Sequence, residues 1–256
     1  MTQAEELILL GGASLKVSDL HVRQIQLNDL RSSDAGGIDK YHQLLSIISI
    51  GHEDILKCLR LEEKYSQLSE AERALFTSYY LLTEVPSLRQ CLSEALSFFI
   101  SEPLQWDGRR HVFCTDGNGG GSQGQISDDN YMAVRRAIML SNCLSVDDVE
   151  SQKFKGKRGR AIYERIMAGR AAAQKQKERS GTSDSLTLPS IVSAVAARHN
   201  SINLLNIWDL TIYQLYDQFA QLNKNFQVDV SSLKWAAWGT EQFDYSLWYK
   251  SMKDIK

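Results

Sequence analysis

The sequence predicts a mainly α-helical fold, a helical bundle that carries a small β element. Only three of the 256 residues are proline, helical spacing of apolar residues recurs from residue 38 onward, and no regular series of turn-bounded alternating strands occurs. Hydrophobic residues make up 43% and charged residues 23% of the chain, which is close to the averages of soluble globular proteins. A packed core is therefore expected.

The first 35 residues are the least helical part of the chain. Short apolar or alternating pieces at 7–10, 13–17 and 22–27 are separated by Gly and Asp, which favours a small sheet or an extended entry arm. The acidic start does not fit a secretory signal, and no apolar run approaches the length needed to cross a bilayer. We expect an intracellular protein without a membrane partner.

Four amphipathic helices follow with short connections. The apolar spacing predicts helices over 38–50 and 53–65. Ser69 and Glu72 have the spacing of a capping box, which predicts a helix that carries Leu75, Tyr79 and Leu82 on one face. That helix should end near residue 84, and Pro86 is well placed to begin the next one.

A β-hairpin is predicted near residues 109–126. Residues 109–114 and 124–126 read as its two strands, joined by a glycine-rich loop. Ser127 is placed to cap a helix over 128–142, whose acidic first turn suits the positive end of the helix dipole.

The C-terminal part is predicted to be helical and is rich in aromatic residues. A helix over 189–198 precedes a second one, for which Thr211 and Gln214 have the spacing of a capping box. The second helix carries an apolar stripe of Ile212, Leu215, Tyr216, Phe219 and Leu222, and Trp235, Trp238 and Trp248 follow it. Such density is typical of a core and also of binding hot spots, and both interpretations stay open.

Charge is distributed unevenly along the chain. Residues 152–180 contain ten Lys or Arg and two Glu, a net charge of +8, which leaves −10 on the other 227 residues. Lys153, Lys155, Lys157, Arg158 and Arg160 form its densest part, a candidate polyanion-binding site within a basic segment at 153–179. Contact with an acidic protein surface or a solvated helix would explain the same charge. The resulting division is a helical domain at 1–151 with an entry arm and an inserted hairpin, a basic helix or linker at 152–185, and an aromatic-rich helical domain at 186–256.

The sequence contains no strong catalytic or metal-binding motif. Residues 119–124 fit G-x-G-x-x-G, but the next helix cap comes only at Ser127, whereas a dinucleotide site needs the third glycine inside the helix. The five histidines and four cysteines lack metal-ligand spacing, and the cysteines are not paired as C-x-x-C. We expect a protein that is not an enzyme and that has no cofactor, no metal and reduced thiols.

Four short strings occur in the order found in a known group of proteins. They are residues 38–46 (IDKYHQLLS), 126–131 (ISDDNY) continuing through Arg136, Ala137, Ile138 and Met139 to Asn142, 188–197, and 207–219 (IWDLTIYQLYDQF). Together they resemble a diffuse family of proteins from tailed bacteriophages, especially contractile-tailed ones. Members of that family are regarded as tail or baseplate assembly chaperones or as other tail-region proteins.

The resemblance implies a helical, non-enzymatic protein that binds a tail or baseplate protein in the host cell cytoplasm. The resemblance leaves a structural role in the virion, and self-association, as further options. A chaperone of this kind needs an exposed apolar helix face or groove rimmed by charge. The candidate partner-binding residues are those of the apolar stripe, together with Trp235, Trp238 and Trp248. Nucleic-acid binding by the basic segment is the alternative.

Overall fold

The computed structural model describes residues 1–31, 36–115, 124–144 and 187–239. In these parts of the chain, eleven α-helices occur with two small antiparallel sheets, so the predicted mainly α fold with a small β element is confirmed. The helices are α1 (Gln3–Leu10), α2 (Leu27–Leu30), α3 (Gly37–Ser49), α4 (His52–Cys58), α5 (Glu62–Gln67), α6 (Glu70–Leu75), α7 (Ser78–Glu84), α8 (Pro86–Phe99), α9 (Asp128–Ser141), α10 (Leu188–Arg198) and α11 (Ile212–Trp238). The strands are β1 (Leu15–Val17), β2 (Leu20–Val22), β3 (Leu104–Asp107), β4 (Val112–Thr115) and β5 (Gln125–Ile126).

The N-terminal region contains both helix and sheet. Antiparallel pairing of β1 with β2 confirms the predicted small sheet. The prediction of a short extended piece at 7–10 is wrong, because these residues lie in helix α1. A capping box that the sequence reading missed begins this helix: Thr2 Oγ1 accepts the N–H of Glu5, whose carboxylate accepts the N–H of Thr2 at 2.6 Å.

The central helices are shorter than the apolar spacing predicted. Arg60 has φ +55°, and it separates α4 from α5 where one helix over 53–65 was expected. The capping box at Ser69 is confirmed, but its helix α6 ends at Leu75 and Thr77 caps a new helix, α7. Leu75 is therefore exposed, and it does not share a buried face with Tyr79. Pro86 begins α8 as predicted.

Three strands form the second sheet in the order β3-β4-β5. The predicted hairpin is confirmed by the antiparallel pairing of β4 with β5, in which Phe113 lies opposite Ile126. Strand β3 was not predicted, and it pairs with the other edge of β4. Residues 119–123 of the glycine-rich loop lie outside the described residues. Its last glycine, Gly124, packs closely on Leu20, since a Cβ there would lie 2.7 Å from a Leu20 methyl carbon.

Helix α9 packs against α3 and is anchored to it by a buried arginine. Arg135 Nε donates to the carbonyl of Ile48 at 2.8 Å, and its Nη2 donates to the carbonyls of Ser49 and Ile50 at 3.0 and 3.2 Å. These carbonyls lie at the C-terminal end of α3, where helical carbonyls lack intrahelical partners. Arg135 thus caps one helix from another.

The C-terminal helices share one hydrophobic core with the N-terminal part. The N–H of Ile212 donates to the carbonyl of Ile25 at 2.9 Å, and the N–H of Leu27 donates to the carbonyl of Leu210 at the same distance. Side chains from α10 and α11, including Val195 and Leu215, belong to the core cluster that contains Leu9 and Phe99. The predicted domain boundaries at 151/152 and 185/186 fall outside the described residues, so the division stays a prediction.

Candidate functional site

The apolar stripe at the start of α11 forms part of the chain's own core. Ile212 and Leu215 are fully buried, and Tyr216, Phe219 and Leu222 are partly buried against the same cluster. A partner cannot reach Ile212 or Leu215 in this structure. The first five candidate residues are thus placed together as predicted, but their apolar face is turned toward α1 and α10.

The second half of α11 is exposed. Four of the twelve exposed large hydrophobic residues in the described parts of the chain lie there: Phe226 (49% exposed), Leu233 (69%), Trp235 (50%) and Trp238 (71%). We call residues 225–238 the projection, since Lys224 is the last buried residue of the helix. Two of the predicted partner-binding tryptophans are therefore available to a partner. Trp248 and the five basic candidates, Lys153, Lys155, Lys157, Arg158 and Arg160, lie outside the described residues.

The projection has two apolar faces. At about 100° per residue, Phe226, Val230, Leu233 and Ala237 lie within one stripe that continues the buried face of the first half of the helix. We call this stripe the seam face. Trp235 and Trp238 lie on the other side of the helix, together with the partly buried Val228, and we call this the tryptophan face. One helix can therefore meet two different surfaces.

Arg198 contacts the start of the seam face. The guanidinium carbon of Arg198, at the end of α10, lies 4.8 Å from the centre of the Phe226 ring. This is a cation–π distance, and half of the Phe226 side chain remains exposed.

An apolar cavity of about 300 Å³ lies at the other end of α10. Its walls come from α2, α3, α10 and the loop that ends in the 3₁₀ turn Ile207–Asp209, with Leu27, Leu30, Ile38, Leu188, Val192 and Leu204 as apolar lining residues. Arg31 and Trp208 also line it, and the guanidinium carbon of Arg31 lies 5.6 Å from the centre of the Trp208 ring. The cavity has room for one bulky apolar side chain.

Five of the groups with shifted pKa values act on one another, and they lie where α3, α9 and α11 meet: Tyr41, Cys143, Tyr213, Tyr216 and Asp217. Burial raises the pKa of the Cys143 thiol to about 12, and burial also raises the pKa of the Asp217 carboxyl, which Gln221 and Lys224 partly oppose. Within the described ranges, no three His, Cys, Asp or Glu side chains are arranged to hold a metal ion. No described helix is long and apolar enough to span a membrane. The described residues thus offer two apolar surfaces, the second half of α11 and the cavity beside α10.

Sequence reasoning missed Phe226 and Leu233. The apolar spacing of α11 continues past Leu222 as Phe226, Val230 and Leu233, which is a signal present in the sequence. The stripe was missed because three polar residues, Asn223-Lys224-Asn225, follow Leu222. They do not change the helical spacing of the apolar residues on either side of them. The cavity residues could not be found in this way, because they come from two parts of the chain, residues 27–38 and 188–208, that are far apart in sequence.

These features define a class: a mainly helical protein with one continuous core and a helix whose second half exposes apolar side chains. Comparison with known families then adds a specific finding. Residues 163–253 match the family described as the YomV second domain, a phage-associated family. The match includes α10, α11 and all three candidate tryptophans, and it confirms the predicted link to bacteriophage at that level. No curated protein and no solved structure matches the chain significantly.

Proposed function

We propose that the protein is a non-enzymatic assembly chaperone for a phage tail or baseplate component, acting in the host cell cytoplasm. Its tryptophan face holds an apolar segment of the client until assembly displaces it. The observation that carries this proposal is the exposure of Trp235 and Trp238 in the second half of α11. The phage-associated match and the resemblance to tail-region proteins support the choice of client.

The physical basis is the contact area that tryptophan provides. Trp235 and Trp238 lie three positions apart, so both rings extend from the same side of the helix. Tryptophan is enriched among interface residues whose loss costs about 2 kcal/mol or more, which corresponds to roughly 30-fold in affinity. Two such residues suit a reversible complex. A client that offers an amphipathic helix would add its own apolar face to theirs.

The test is co-expression of the full chain with the tail and baseplate proteins of the same phage. The soluble complex and the mature particle are then both analysed by mass spectrometry. We expect an identified tail component in the soluble complex and no copy of this protein in the particle. Recovery in the particle at a fixed copy number would instead indicate a structural virion protein.

Point variants locate the contact. The double variant Trp235→Ala/Trp238→Ala should lose the client, whereas Tyr80→Ala, which removes a half-exposed aromatic ring elsewhere, should retain it. Ser193→Trp places a bulky group at the apolar cavity. This variant distinguishes client binding at the cavity from client binding at the tryptophan face. Loss of the client in this variant, with full binding in the double tryptophan variant, would assign the contact to the cavity and overturn the tryptophan face.

Nucleic-acid binding is the alternative that the charge pattern favours. Ten Lys or Arg with two Glu in residues 152–180 would release counterions from a phosphate backbone, so binding should fall steeply with salt. Neutralising Lys153, Lys155, Lys157, Arg158 and Arg160 together should abolish such binding. If DNA binds and the tail proteins do not, the chaperone proposal is wrong.

A further inference from the structure

The apolar cavity beside α10 has the size and the lining of a site for one large side chain. Its volume of about 300 Å³ is roughly twice that of an engineered apolar cavity that binds benzene. Leu27, Leu30 and Val192 are its buried lining residues. Among the ten described residues that line it, Arg31 is the only one that carries a charge. An apolar cavity with one polar group of this kind is typical of binding sites.

The guanidinium of Arg31 lies at this cavity without an acidic partner among the described residues. Its central carbon is 5.6 Å from the centre of the Trp208 ring. Asp29 and Asp209 lie near Arg31 and Trp208 in the chain, but neither forms an ion pair with Arg31 in the described structure. Asp29 instead accepts the N–H of Gln26 at 3.2 Å. The planar fork of N–H donors on a guanidinium matches a carboxylate, so Arg31 is suited to a carboxylate from outside.

The rim extends the apolar surface beyond the cavity. Leu204, which lines the cavity, is 60% exposed, and the adjacent Leu205 is 92% exposed. Hydrogen bonds hold the loop that carries both leucines. Asn203 Oδ1 accepts the N–H of Leu205 at 2.8 Å, and Trp208 Nε1 donates to the carbonyl of Leu204 at 2.8 Å. A small molecule inside the cavity would leave the rim bare, whereas a polypeptide can fill the cavity and also cover the rim.

We propose that this cavity binds a segment of a second polypeptide in which a large apolar side chain lies next to an acidic residue. The apolar side chain enters the cavity, and the carboxylate pairs with Arg31 at its mouth. The first turn of α10 also lines the cavity, so the positive end of its helix dipole favours the same carboxylate.

The two parts of this contact have different roles. The side chain in the cavity supplies most of the affinity, because it is removed from water. The ion pair at the exposed mouth adds at most about fivefold and selects acidic segments over neutral ones. The cavity and the tryptophan face share no residue, so this site does not depend on the chaperone function.

Three blocked dipeptides test the chemistry of the site on the full chain. They are N-acetyl-Phe-Glu amide, its neutral counterpart N-acetyl-Phe-Gln amide, and N-acetyl-Ala-Glu amide, which lacks the large side chain. Binding is followed by nuclear magnetic resonance at the indole N–H of Trp208, a lining residue, and the variant Trp208→Phe identifies that signal. We expect saturable binding of the Phe-Glu probe below about 10 mM. The Phe-Gln probe should bind about two- to fivefold more weakly, and the Ala-Glu probe at least about tenfold more weakly.

Three outcomes of these titrations would overturn the proposal. If the Phe-Glu probe does not saturate up to about 10 mM, the cavity is not a binding site of the proposed kind. Equal binding of the Phe-Glu and Phe-Gln probes would remove the acidic residue from the recognised segment. Tighter binding of 3-phenylpropanoate, which has the ring and the carboxylate without a peptide backbone, would assign the cavity to a small carboxylate instead of a polypeptide.

Point variants assign the two roles to residues. Arg31→Met should erase the difference between the Phe-Glu and Phe-Gln probes and keep the preference for Phe over Ala. Arg198→Met is the matched control, since it removes the guanidinium that contacts the ring of Phe226 away from the cavity, and it should bind all probes as the wild type does. A preference for Glu that survives in Arg31→Met would overturn the ion pair.

A second pair of variants locates the site. Ser193→Trp should abolish binding of the Phe-Glu probe, because it places a bulky group at the cavity. The double variant Trp235→Ala/Trp238→Ala should bind this probe normally. Loss of the probe in the double variant, with retention in Ser193→Trp, would place it on the tryptophan face and overturn the cavity site. Failure of this site and failure of the chaperone function are therefore distinguishable.

Discussion

Buried polar side chains connect segments of this protein that lie far apart in sequence. The hydroxyl of Tyr41 in α3 donates to Asn142 Oδ1 just after α9, at 2.9 Å, and both groups are buried. Gln24 Nε2 donates to the carbonyl of Ala13 at 2.8 Å and so fixes the end of the N-terminal hairpin. Tyr41 and Asn142 both belong to the strings that resemble phage tail proteins. Part of that resemblance therefore concerns how the helices are joined, and this part identifies the fold rather than a binding site.

His52 makes stability dependent on pH. Its Nε2 atom is buried without a hydrogen-bond partner, and its Nδ1 lies 3.4 Å from Ser78 Oγ. Burial lowers the pKa of His52, and Glu53 opposes this only in part. Because protonation is harder in the folded state, stability is complete above the ordinary histidine pKa of about 6.5. It falls as the pH drops through that value toward the lower folded-state pKa.

The variant His52→Gln tests this pH dependence. We expect the free energy of unfolding to decline less between pH 7.5 and pH 5.5 in the variant than in the wild type, measured by urea titration followed by circular dichroism. His42→Gln, which changes an exposed imidazole, is the control and should keep the wild-type decline. An equal decline in His52→Gln would show that His52 is not responsible.

Local sequence signals located most helix starts but not the breaks between helices. Capping boxes at Ser69 and Thr211 and the proline at position 86 each satisfy or remove free backbone N–H groups, so they are readable from the sequence. The break at Arg60 has no such signal. A non-glycine residue adopts φ +55° there, while Ile55 and Leu56 on one side of it are buried, so packing decides where α4 ends.

The candidate site could be predicted only in part, because the sequence shows which side chains share a face but not which of them the fold covers. Apolar spacing identifies the inward face of α11 but does not say what covers it. Ile212 and Leu215 are covered by the chain itself, whereas Phe226 and Leu233 continue the same face and remain exposed. Trp235 and Trp238 were found because aromatic residues are unusually dense in the C-terminal part of the sequence. The cavity beside α10 required the tertiary structure.

The two small sheets meet through Gly124, and this contact yields a prediction. A Cβ at this position would lie 2.7 Å from Leu20 Cδ2 and 3.2 Å from the Asp19 carbonyl oxygen, and Leu20 is fully buried. Gly124→Ala should therefore cost about 1–3 kcal/mol of unfolding free energy, as overpacked sites do. Gly108→Ala is the control, since its nearest neighbour would be Trp106 Nε1 at 3.4 Å, and it should change stability little. Equal stability of the two variants would mean that the sheets can separate without cost.

The core of this protein is continuous from α1 to α11. Gln214 Nε2 in α11 donates to the carbonyl of Leu10 at the end of α1, at 2.9 Å. Ile191, Ile207 and Leu215 are buried in the cluster that also contains Ile25 and Leu27. The phage-associated match begins at residue 163, so the matched region supplies apolar side chains to a core that residues before it also build. The start of the matched region at residue 163 therefore does not mark the start of a separate hydrophobic core.

This continuity predicts that residues 1–151 do not fold alone. Removing the rest of the chain uncovers Leu9, Ile25 and Leu27, which α10, α11 and their connecting loop help to bury, and a small domain is too marginally stable to tolerate such a loss. We expect the fragment 1–151 to retain helical circular dichroism, to bind the dye ANS and to lack a sharp urea transition, as loosely packed states do. The fragment 1–239 keeps every described residue, and it should unfold cooperatively with the wild-type slope. A sharp transition in 1–151 would instead establish two independent folding units, and the contacts of α11 with α1 would then be a docking interface between domains.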